Sequence, residues 1–109
     1  MRRALILTGM AAFLAMGAAA ARADDYVLTI KDHRFTPTEI NIPANKRVQI
    51  TVVNDDATPE EFESNELNRE KVVVGKGTIT VLLGPLDAGR YPFFGDFHQE
   101  TAQGVLVVK

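Results

Sequence analysis

The sequence contains no cysteine, and its three methionines, Met1, Met10 and Met16, all lie close to the N-terminus. The absence of cysteine excludes disulfide bonds, thiol nucleophiles and cysteine ligands for zinc, iron–sulfur clusters or blue copper. If the N-terminal stretch is removed after export, the remaining chain contains no sulfur at all. Any metal ion that the protein binds is therefore expected to have nitrogen and oxygen ligands.

The N-terminal segment has the pattern of a secretory signal peptide. Arg2 and Arg3 precede an apolar run over residues 4–20, and residues 21–23 have the sequence ARA before two aspartates. A basic start, an apolar centre and small residues at the end are typical of a signal that is cleaved on export. The alternative is a membrane anchor, for which this alanine-rich run is rather short. We therefore predict a signal peptide over residues 1–23, a single mature domain over 24–109 and a periplasmic location.

Cleavage would make the protein more acidic. The full chain has 12 basic and 14 acidic side chains, a formal net charge of −2. Arg2, Arg3 and Arg22 would leave with the signal while every acidic residue stays, so 9 basic and 14 acidic residues would remain, a net charge of −5. Nucleic acid and anionic lipid repel such a domain, so neither is an expected partner. Cations, or a basic protein partner, suit it better.

Apolar and polar residues alternate in short runs along the mature chain. The runs are rich in β-branched residues and are separated by Gly, Pro, Asn and Asp, which is typical of strands joined by turns. Segment 55–70 differs, because it is acidic and lacks the alternation, and it is expected to be irregular with room for a short helical turn. We predict an all-β fold, an antiparallel Greek-key β-sandwich. The predicted strands lie at residues 26–31, 39–42, 48–52, 78–83 and 105–108.

The C-terminal segment 91–108 is predicted to form a strand, a loop with one histidine and a final strand. Together with the FTP unit at residues 35–37, the IPANK sequence at 42–46 and the LxxGxY pattern at 86–91, it resembles the cupredoxins. The resemblance covers nearly all of residues 26–109 and implies a cupredoxin-like β-sandwich. It also implies that Tyr91 packs or hydrogen-bonds as a corner residue.

The copper ligands of that family are mostly missing from this chain. His98 matches the C-terminal histidine ligand, but Gly95 stands where the copper-binding cysteine would be. No methionine lies near residues 102–103, and segment 59–64 lacks the first histidine ligand. Blue copper needs a thiolate with two imidazoles. We therefore do not expect a blue-copper electron carrier.

The motif EFES at residues 61–64, followed by EKVV at 70–73, is similar to the EfeO-type branch of cupredoxin-like domains. Such domains occur in periplasmic components of bacterial iron uptake, either fused to a second domain or alone. The resemblance implies a stand-alone component of a ferrous iron uptake system. Its partners would be a second periplasmic metal-binding protein, an inner-membrane iron permease and a membrane ferredoxin-like protein.

Acidic and histidine side chains in two segments are candidate metal ligands. Glu61 and Glu63 flank Phe62, so on an extended chain both glutamates face one side and Phe62 faces the other. In the C-terminal loop an Asp, a His and a Glu occupy alternate positions, and in a cupredoxin-like sandwich the two loops meet at one end. Up to four carboxylates would then lie near one imidazole. The predicted metal ligands are His98, Glu61, Glu63 and Asp96, with Glu70, His33 and Glu100 as secondary candidates.

Each candidate also has an ordinary structural explanation. His98 could be a solvated loop histidine, the two glutamates a solvated acidic loop, and Asp96 a turn former. Glu70 could pair with Arg69 or Lys71 at the surface. His33 could join the site only if its own loop folds over the same end.

Carboxylates with imidazole suit Cu(II), Fe(II), Fe(III), Mn(II) or Zn(II) and disfavour Cu(I), which prefers sulfur. Clustered carboxylates repel one another, so their pKa values should be raised until a cation neutralises them. No catalytic set of residues is visible, so an enzymatic role would be limited to copper-assisted oxidation of Fe(II) before import. We expect a protein that binds copper(II), iron or both and assists ferrous iron uptake. The alternatives are a Cu(II) chaperone or buffer, and a metal-free module whose acidic loop docks on a basic partner.

Overall fold

The structure is a computed structural model that describes residues 24–109, so the predicted signal peptide lies outside the described residues. No helix within residues 24–109 is long and apolar enough to cross a bilayer. The described chain forms strands and one short 3₁₀ helix, Asp96–His98, between the last two strands. The strands are β1 (Asp24–Lys31), β2 (Arg34–Thr36), β3 (Glu39–Ile42), β4 (Val48–Asn54), β5 (Glu60–Ser64), β6 (Arg69–Val73), β7 (Thr78–Leu83), β8 (Gly89–Gly95) and β9 (Gln103–Val108).

The strands form two sheets. One sheet has the order β2-β1-β4-β7 and the other the order β3-β9-β8-β5-β6. The predicted all-β sandwich is therefore confirmed. Among the described strands the pairs β1–β4 and β3–β9 run parallel, whereas the other neighbours run antiparallel as expected. Parallel pairs need a long crossover connection, and both of these pairs join strands that are far apart in the chain.

The hydrophobic core lies between the two sheets and follows the period-two pattern. β4 buries every second residue from Val48 to Asn54, as its alternation predicts. Phe35, Phe62 and Phe93 form an aromatic cluster, with ring centroids 5.2 to 6.4 Å apart. A fully buried Phe stabilises the fold by about 1.5–3 kcal/mol, so this cluster is a main contact between the sheets. It also determines which side of β5 faces inward.

Segment 55–70 is not irregular, and the prediction of a short helical turn there is wrong. It contains β5, a turn and the first residues of β6. β5 does alternate, because Glu60, Phe62 and Ser64 are buried. Two of these three residues are polar, so the alternation of buried and exposed residues does not appear in the sequence as an alternation of apolar and polar residues. The burial of Ser64 is compensated because its Oγ donates a hydrogen bond to the carbonyl oxygen of Pro92 at 2.7 Å.

Asn54, the last residue of β4, anchors the loop that leads to β5. It is buried, and its Nδ2 donates to the carbonyl oxygens of Thr58 at 2.9 Å, Val73 at 3.3 Å and Val74 at 3.2 Å. Its Oδ1 accepts from the N–H of Asp56 at 3.0 Å. A buried amide must be hydrogen-bonded to avoid a large desolvation cost, and this one is. These bonds fix where β5 begins and so the direction of its first residue.

The predicted corner residue, Tyr91, lies near the start of β8 and contacts the turn before it. The Tyr91 hydroxyl donates a hydrogen bond to the carbonyl oxygen of Asp87 at 2.8 Å, and the ring packs against the core. The expectation for Tyr91 is therefore confirmed. This contact holds the start of the β8–β9 hairpin, which carries the 3₁₀ helix.

Candidate metal centre

Three segments meet at one end of the sandwich: the β1–β2 turn, the β4–β5 loop and the segment between β8 and β9. The Asp56 carboxylate accepts hydrogen bonds from the N–H groups of Asp32 at 2.8 Å and His33 at 3.0 Å. The Thr101 hydroxyl donates to the carbonyl oxygen of His33 at 2.6 Å, and Thr58 Oγ1 lies 3.4 Å from His33 Nε2. The turn with His33 therefore folds over the same end, which was the condition for its candidacy.

The β1–β2 turn depends on Asp56 for its shape. Asp32 and His33 have φ angles of 52° and 59°, in the left-handed region that residues other than glycine seldom adopt. The hydrogen bond from the His33 N–H lowers the pKa of Asp56. The bond from Asp32 and the charges of His33 and Lys31 act in the same direction, against partial burial. The position of His33 is thus fixed largely through its main chain.

Glu60, the first residue of β5, points into the protein and is 1% exposed. Its Oε1 accepts a hydrogen bond from the N–H of Phe97 at 3.1 Å, and its Oε2 pairs with Nδ1 of His98. A buried carboxylate is costly unless its oxygens are paired, and here both have partners. The His98 ring also stacks on His33, with centroids 3.5 Å apart and 11° between the ring planes.

Gly95 has no space for a side chain. A Cβ atom there would lie 2.4 Å from Glu60 Oε1 and 2.7 Å from Ala102 Cβ, far inside van der Waals contact. By the cupredoxin resemblance this is the position of the copper-binding cysteine. The Glu60 carboxylate occupies the space that a cysteine side chain would need. The residues therefore do not fit a blue-copper centre, which requires a thiolate.

A second group of carboxylates lies on the outer face of β5 and β6 and on the neighbouring 3₁₀ helix. It is called the acidic cluster here and consists of Glu61, Glu63, Glu70 and Asp96. Oxygen atoms of the three glutamates lie within 4.8 Å of one another, because Glu63 is directly opposite Glu70 in the β5–β6 register. Asp96, the first residue of the 3₁₀ helix, lies close enough for its negative charge to raise the pKa of Glu61. The prediction that Glu61 and Glu63 face together while Phe62 packs inward is confirmed.

Partial burial and mutual repulsion raise the pKa values of two glutamates in the acidic cluster. Partial burial, followed by the negative charges of Glu70, Glu63 and Asp96, raises the pKa of Glu61 to about 7. The pKa of Glu63 is also raised, by partial burial and by the charges of Glu70 and Asp96. The expected rise in pKa is therefore confirmed for these two residues. A bound cation would displace the remaining proton and relieve the repulsion.

The predicted ligands divide between two adjoining places. The glutamates 61, 63 and 70 join Asp96 in the acidic cluster, whereas His33, His98 and Glu100 line a cavity of about 350 Å³ beside Phe97. The predicted alternation of Asp96, His98 and Glu100 along an extended loop is wrong, because residues 96–98 form a 3₁₀ turn. In such a turn each side chain points about 120° away from the one before it.

Metal binding by His98 stays a prediction, with one restriction from the structure. Its Nδ1 is paired with Glu60, so a metal ion could reach this imidazole only at Nε2. Three glutamates within residues 24–109 place possible ligand atoms within 4.8 Å of one another. This group contains no histidine, so His98 is not part of it.

Sequence reasoning missed Glu60. It precedes Phe62 by two residues, and because side chains alternate along a strand, it lies on the same buried side of β5. This position could have been predicted if the segment had been treated as a strand. Glu60 lies among other acidic residues in the sequence, and a carboxylate is seldom expected inside a protein, so nothing local indicates that this one is buried.

Comparison with known proteins agrees with this architecture. A family model described as the cupredoxin-like domain matches residues 4–108. The chain belongs to this family. An uncharacterized protein from Rickettsia prowazekii (strain Madrid E) is 47% identical to this cupredoxin-like protein over 81 residues, which are 74% of this chain and 65% of that protein. The match thus spans a little under two thirds of that relative's length.

Several solved copper proteins share the fold. Auracyanin A, a blue copper protein from Chloroflexus aurantiacus, has a TM-score of 0.70 and 19% identity over 81% of this chain and 100% of its own. Amicyanin from Paracoccus versutus has a TM-score of 0.62 and 19% identity, covering 84% of this chain and 88% of its own. The metal-binding domain of a Cu(I)-exporting P-type ATPase from Streptococcus pneumoniae has a TM-score of 0.67 and 14% identity, covering 78% and 84%. Identities this low support the shared fold alone.

Proposed function

We propose that this cupredoxin-like protein is a periplasmic metal-binding component of bacterial ferrous iron uptake, and that iron or Cu(II) binds at the acidic cluster. The observation that carries the proposal is the convergence of oxygen ligands on one face of β5 and β6. Glu61, Glu63 and Glu70 offer oxygens within 4.8 Å of one another, and the charge of Asp96 acts on Glu61. Carboxylate oxygens suit hard cations and the harder oxidation states of copper and iron. The similarity of residues 61–64 to EfeO-type domains supports the iron pathway.

The interior of the fold argues against a blue-copper role. The chain has no cysteine, and Glu60 fills the space beside Gly95. The oxygen-rich face of the sheet therefore has a better donor set for a hard cation than the position that holds copper in a cupredoxin. Partial burial, followed by the charges of Glu70, Glu63 and Asp96, raises the pKa of Glu61 to about 7. A cation would relieve the repulsive part of this rise, which supports the assignment.

The proposal extends to His98 and to redox chemistry. His98 lines the adjoining cavity rather than the acidic cluster, and from there it would offer a nitrogen ligand through Nε2, since its Nδ1 is paired with Glu60. Copper(II), when bound, would supply a one-electron acceptor for Fe(II), with Fe(III) and Cu(I) as the products. Stopped-flow loss of Fe(II) in the presence of copper-loaded protein, compared with metal-free protein, tests this part. An equal rate would mean that the protein binds metal without assisting oxidation.

Calorimetric titration with Cu(II) and with ferric citrate tests the binding site. The protein should be purified from the periplasm after expression of the full chain, and sequencing of its N-terminus checks cleavage after Ala23. We expect saturable binding that weakens by about tenfold or more, about 1.4 kcal/mol, in Glu61→Gln. Glu39→Gln is the matched control, because Glu39 is an exposed glutamate on β3. Absence of binding by the wild type, or equal binding by Glu61→Gln, would contradict the proposed site.

The same measurements separate the alternatives. A Cu(II) chaperone or buffer would bind Cu(II) without binding iron. A metal-free interaction module would have the same melting temperature with and without metal, because a ligand that binds only the folded state must raise it. The uptake role is tested by deleting the gene and measuring Fe(II) uptake at low iron. Normal uptake in the deletion strain would contradict the pathway while leaving metal binding intact.

A further inference from the structure

The geometry points to Glu60 as a positioning residue. It holds the Asp96–His98 turn against β5 and keeps neutral His98 in the tautomer with the proton on Nδ1, so that the Nε2 lone pair is available to a metal ion. The part that concerns metal rests on the proposed function. The part that concerns the tautomer does not depend on it.

The hydrogen bonds of the Glu60 carboxylate determine which nitrogen of His98 holds the proton. An ionised carboxylate has no proton to donate and can only accept. Oε1 accepts from the N–H of Phe97 at 3.1 Å, and Oε2 pairs with Nδ1 of His98. With an ionised Glu60 carboxylate, Nδ1 is therefore the donor in this pair. In a neutral imidazole the other nitrogen, Nε2, then has the unprotonated lone pair.

The same carboxylate fixes the position of the 3₁₀ turn. Phe97 and His98 directly follow Asp96, which belongs to the acidic cluster. Glu60 directly precedes Glu61 on β5, so the strand presents Glu60 inward and Glu61 outward. The turn is therefore held from inside by Glu60, and it places the negative charge of Asp96 near Glu61 on the outside. Loss of the inner contact would let Asp96 move away from the acidic cluster.

The His98 ring is constrained from two directions. Glu60 holds its Nδ1 edge, and the ring of His33 covers one face at a centroid distance of 3.5 Å. His33 is itself held by Asp56 and Thr101 through its main chain. A flip of the His98 ring would break the pair with Glu60, and any tilt of the ring out of its plane would also break the stack. A carboxylate that orients one nitrogen of a histidine so that the other can bind metal is a common support for metal sites.

The substitution Glu60→Gln keeps nearly the same side-chain shape but should favour the opposite tautomer of His98. The amide oxygen of the glutamine must face the Phe97 N–H, because its NH₂ group cannot accept that hydrogen bond. The NH₂ group then faces His98 Nδ1 and donates to it. Nδ1 becomes the acceptor, the proton moves to Nε2, and the lone pair that a metal ion would use is lost.

Nitrogen-15 NMR of the imidazole rings in the metal-free protein at about pH 8.5, where an ordinary imidazole is neutral, tests the tautomer. The chain has two histidines, so a His98→Gln variant assigns the signals. We expect the Nδ1–H form of His98 in the wild type and in the Glu39→Gln control, and the Nε2–H form in Glu60→Gln. The Nε2–H form in the wild type would overturn the inference even if Glu60→Gln fails to fold.

Calorimetric titration with Cu(II) tests the link to metal binding. We expect Glu60→Gln to bind Cu(II) about 10- to 100-fold more weakly than the wild type, the usual effect of losing a residue that orients a ligand. Equal affinity in the two proteins would overturn the positioning role. If the wild type binds no Cu(II), the proposed function and the metal part of this inference both fail, while the NMR result still decides the tautomer.

Discussion

Replacing Gly95 with alanine would put a methyl group into space that is already filled. The added Cβ would lie 2.4 Å from Glu60 Oε1 and 2.7 Å from Ala102 Cβ, whereas ordinary contacts begin at 3.4 Å. Neither neighbour can move aside easily. Ala102 is completely buried, and Glu60 is held by its bonds to Phe97 and His98.

The cost has two parts. Overpacking a dense interior costs about 1–3 kcal/mol. Displacing the Glu60 carboxylate would also weaken two hydrogen bonds, each with a net contribution of about 1 kcal/mol. We therefore expect Gly95→Ala to lower the free energy of unfolding by about 3 kcal/mol. For a domain of this size each kcal/mol lowers the melting temperature by about 4–8 °C.

Urea unfolding of four variants would measure this effect: Gly95→Ala, Gly84→Ala, Glu60→Ala and the double variant with Gly95→Ala and Glu60→Ala. Gly84→Ala is the control, because nothing lies within 4 Å of a Cβ at Gly84, and its effect should be within about 0.5 kcal/mol. In a Glu60→Ala background the cost of Gly95→Ala should fall to about 1 kcal/mol, since the clashing carboxylate is gone and residues in contact are not additive. The packing argument would be refuted if Gly95→Ala unfolded at the wild-type urea concentration, or if the two substitutions were simply additive.

Three further predictions concern charge and hydrogen bonding. The pKa of Glu61 is raised from 4.5 to about 7, so between these pH values the folded metal-free protein holds more protons than the unfolded chain. Its free energy of unfolding should fall as pH rises through this window, and less so in Glu61→Gln; an identical pH profile in urea titrations would contradict this. Asp56→Ala removes two hydrogen bonds from the turn of His33 and should cost about 1–3 kcal/mol, with altered histidine ring shifts in proton NMR; unchanged shifts would mean that Asp56 does not place this turn. Tyr91→Phe loses the bond to the Asp87 carbonyl and should cost about 1 kcal/mol in the same urea assay, and a cost near zero would remove the corner contact as a source of stability.

Local pattern was enough to predict much of the fold. The alternation in β4 and β7 places their apolar side chains on one face, and both strands form where expected. The parity of Glu61 and Glu63 about Phe62 predicts one face for both glutamates, because side chains alternate along any strand. β5 itself was not predicted, since a strand whose buried residues include Glu60 and Ser64 lacks an apolar period.

Composition alone excludes a thiolate site. Alternation predicts a sandwich of strands and places Glu61 and Glu63 on the same face of one strand. The register between β5 and β6 brings Glu70 to them, and that depends on which strands pair rather than on any local sequence. Glu60 meets His98 across 38 positions of the chain. Contacts over such distances arise from how two sheets pack and where loops close. They decide which carboxylate is buried against an imidazole and which remain on the surface to meet a cation.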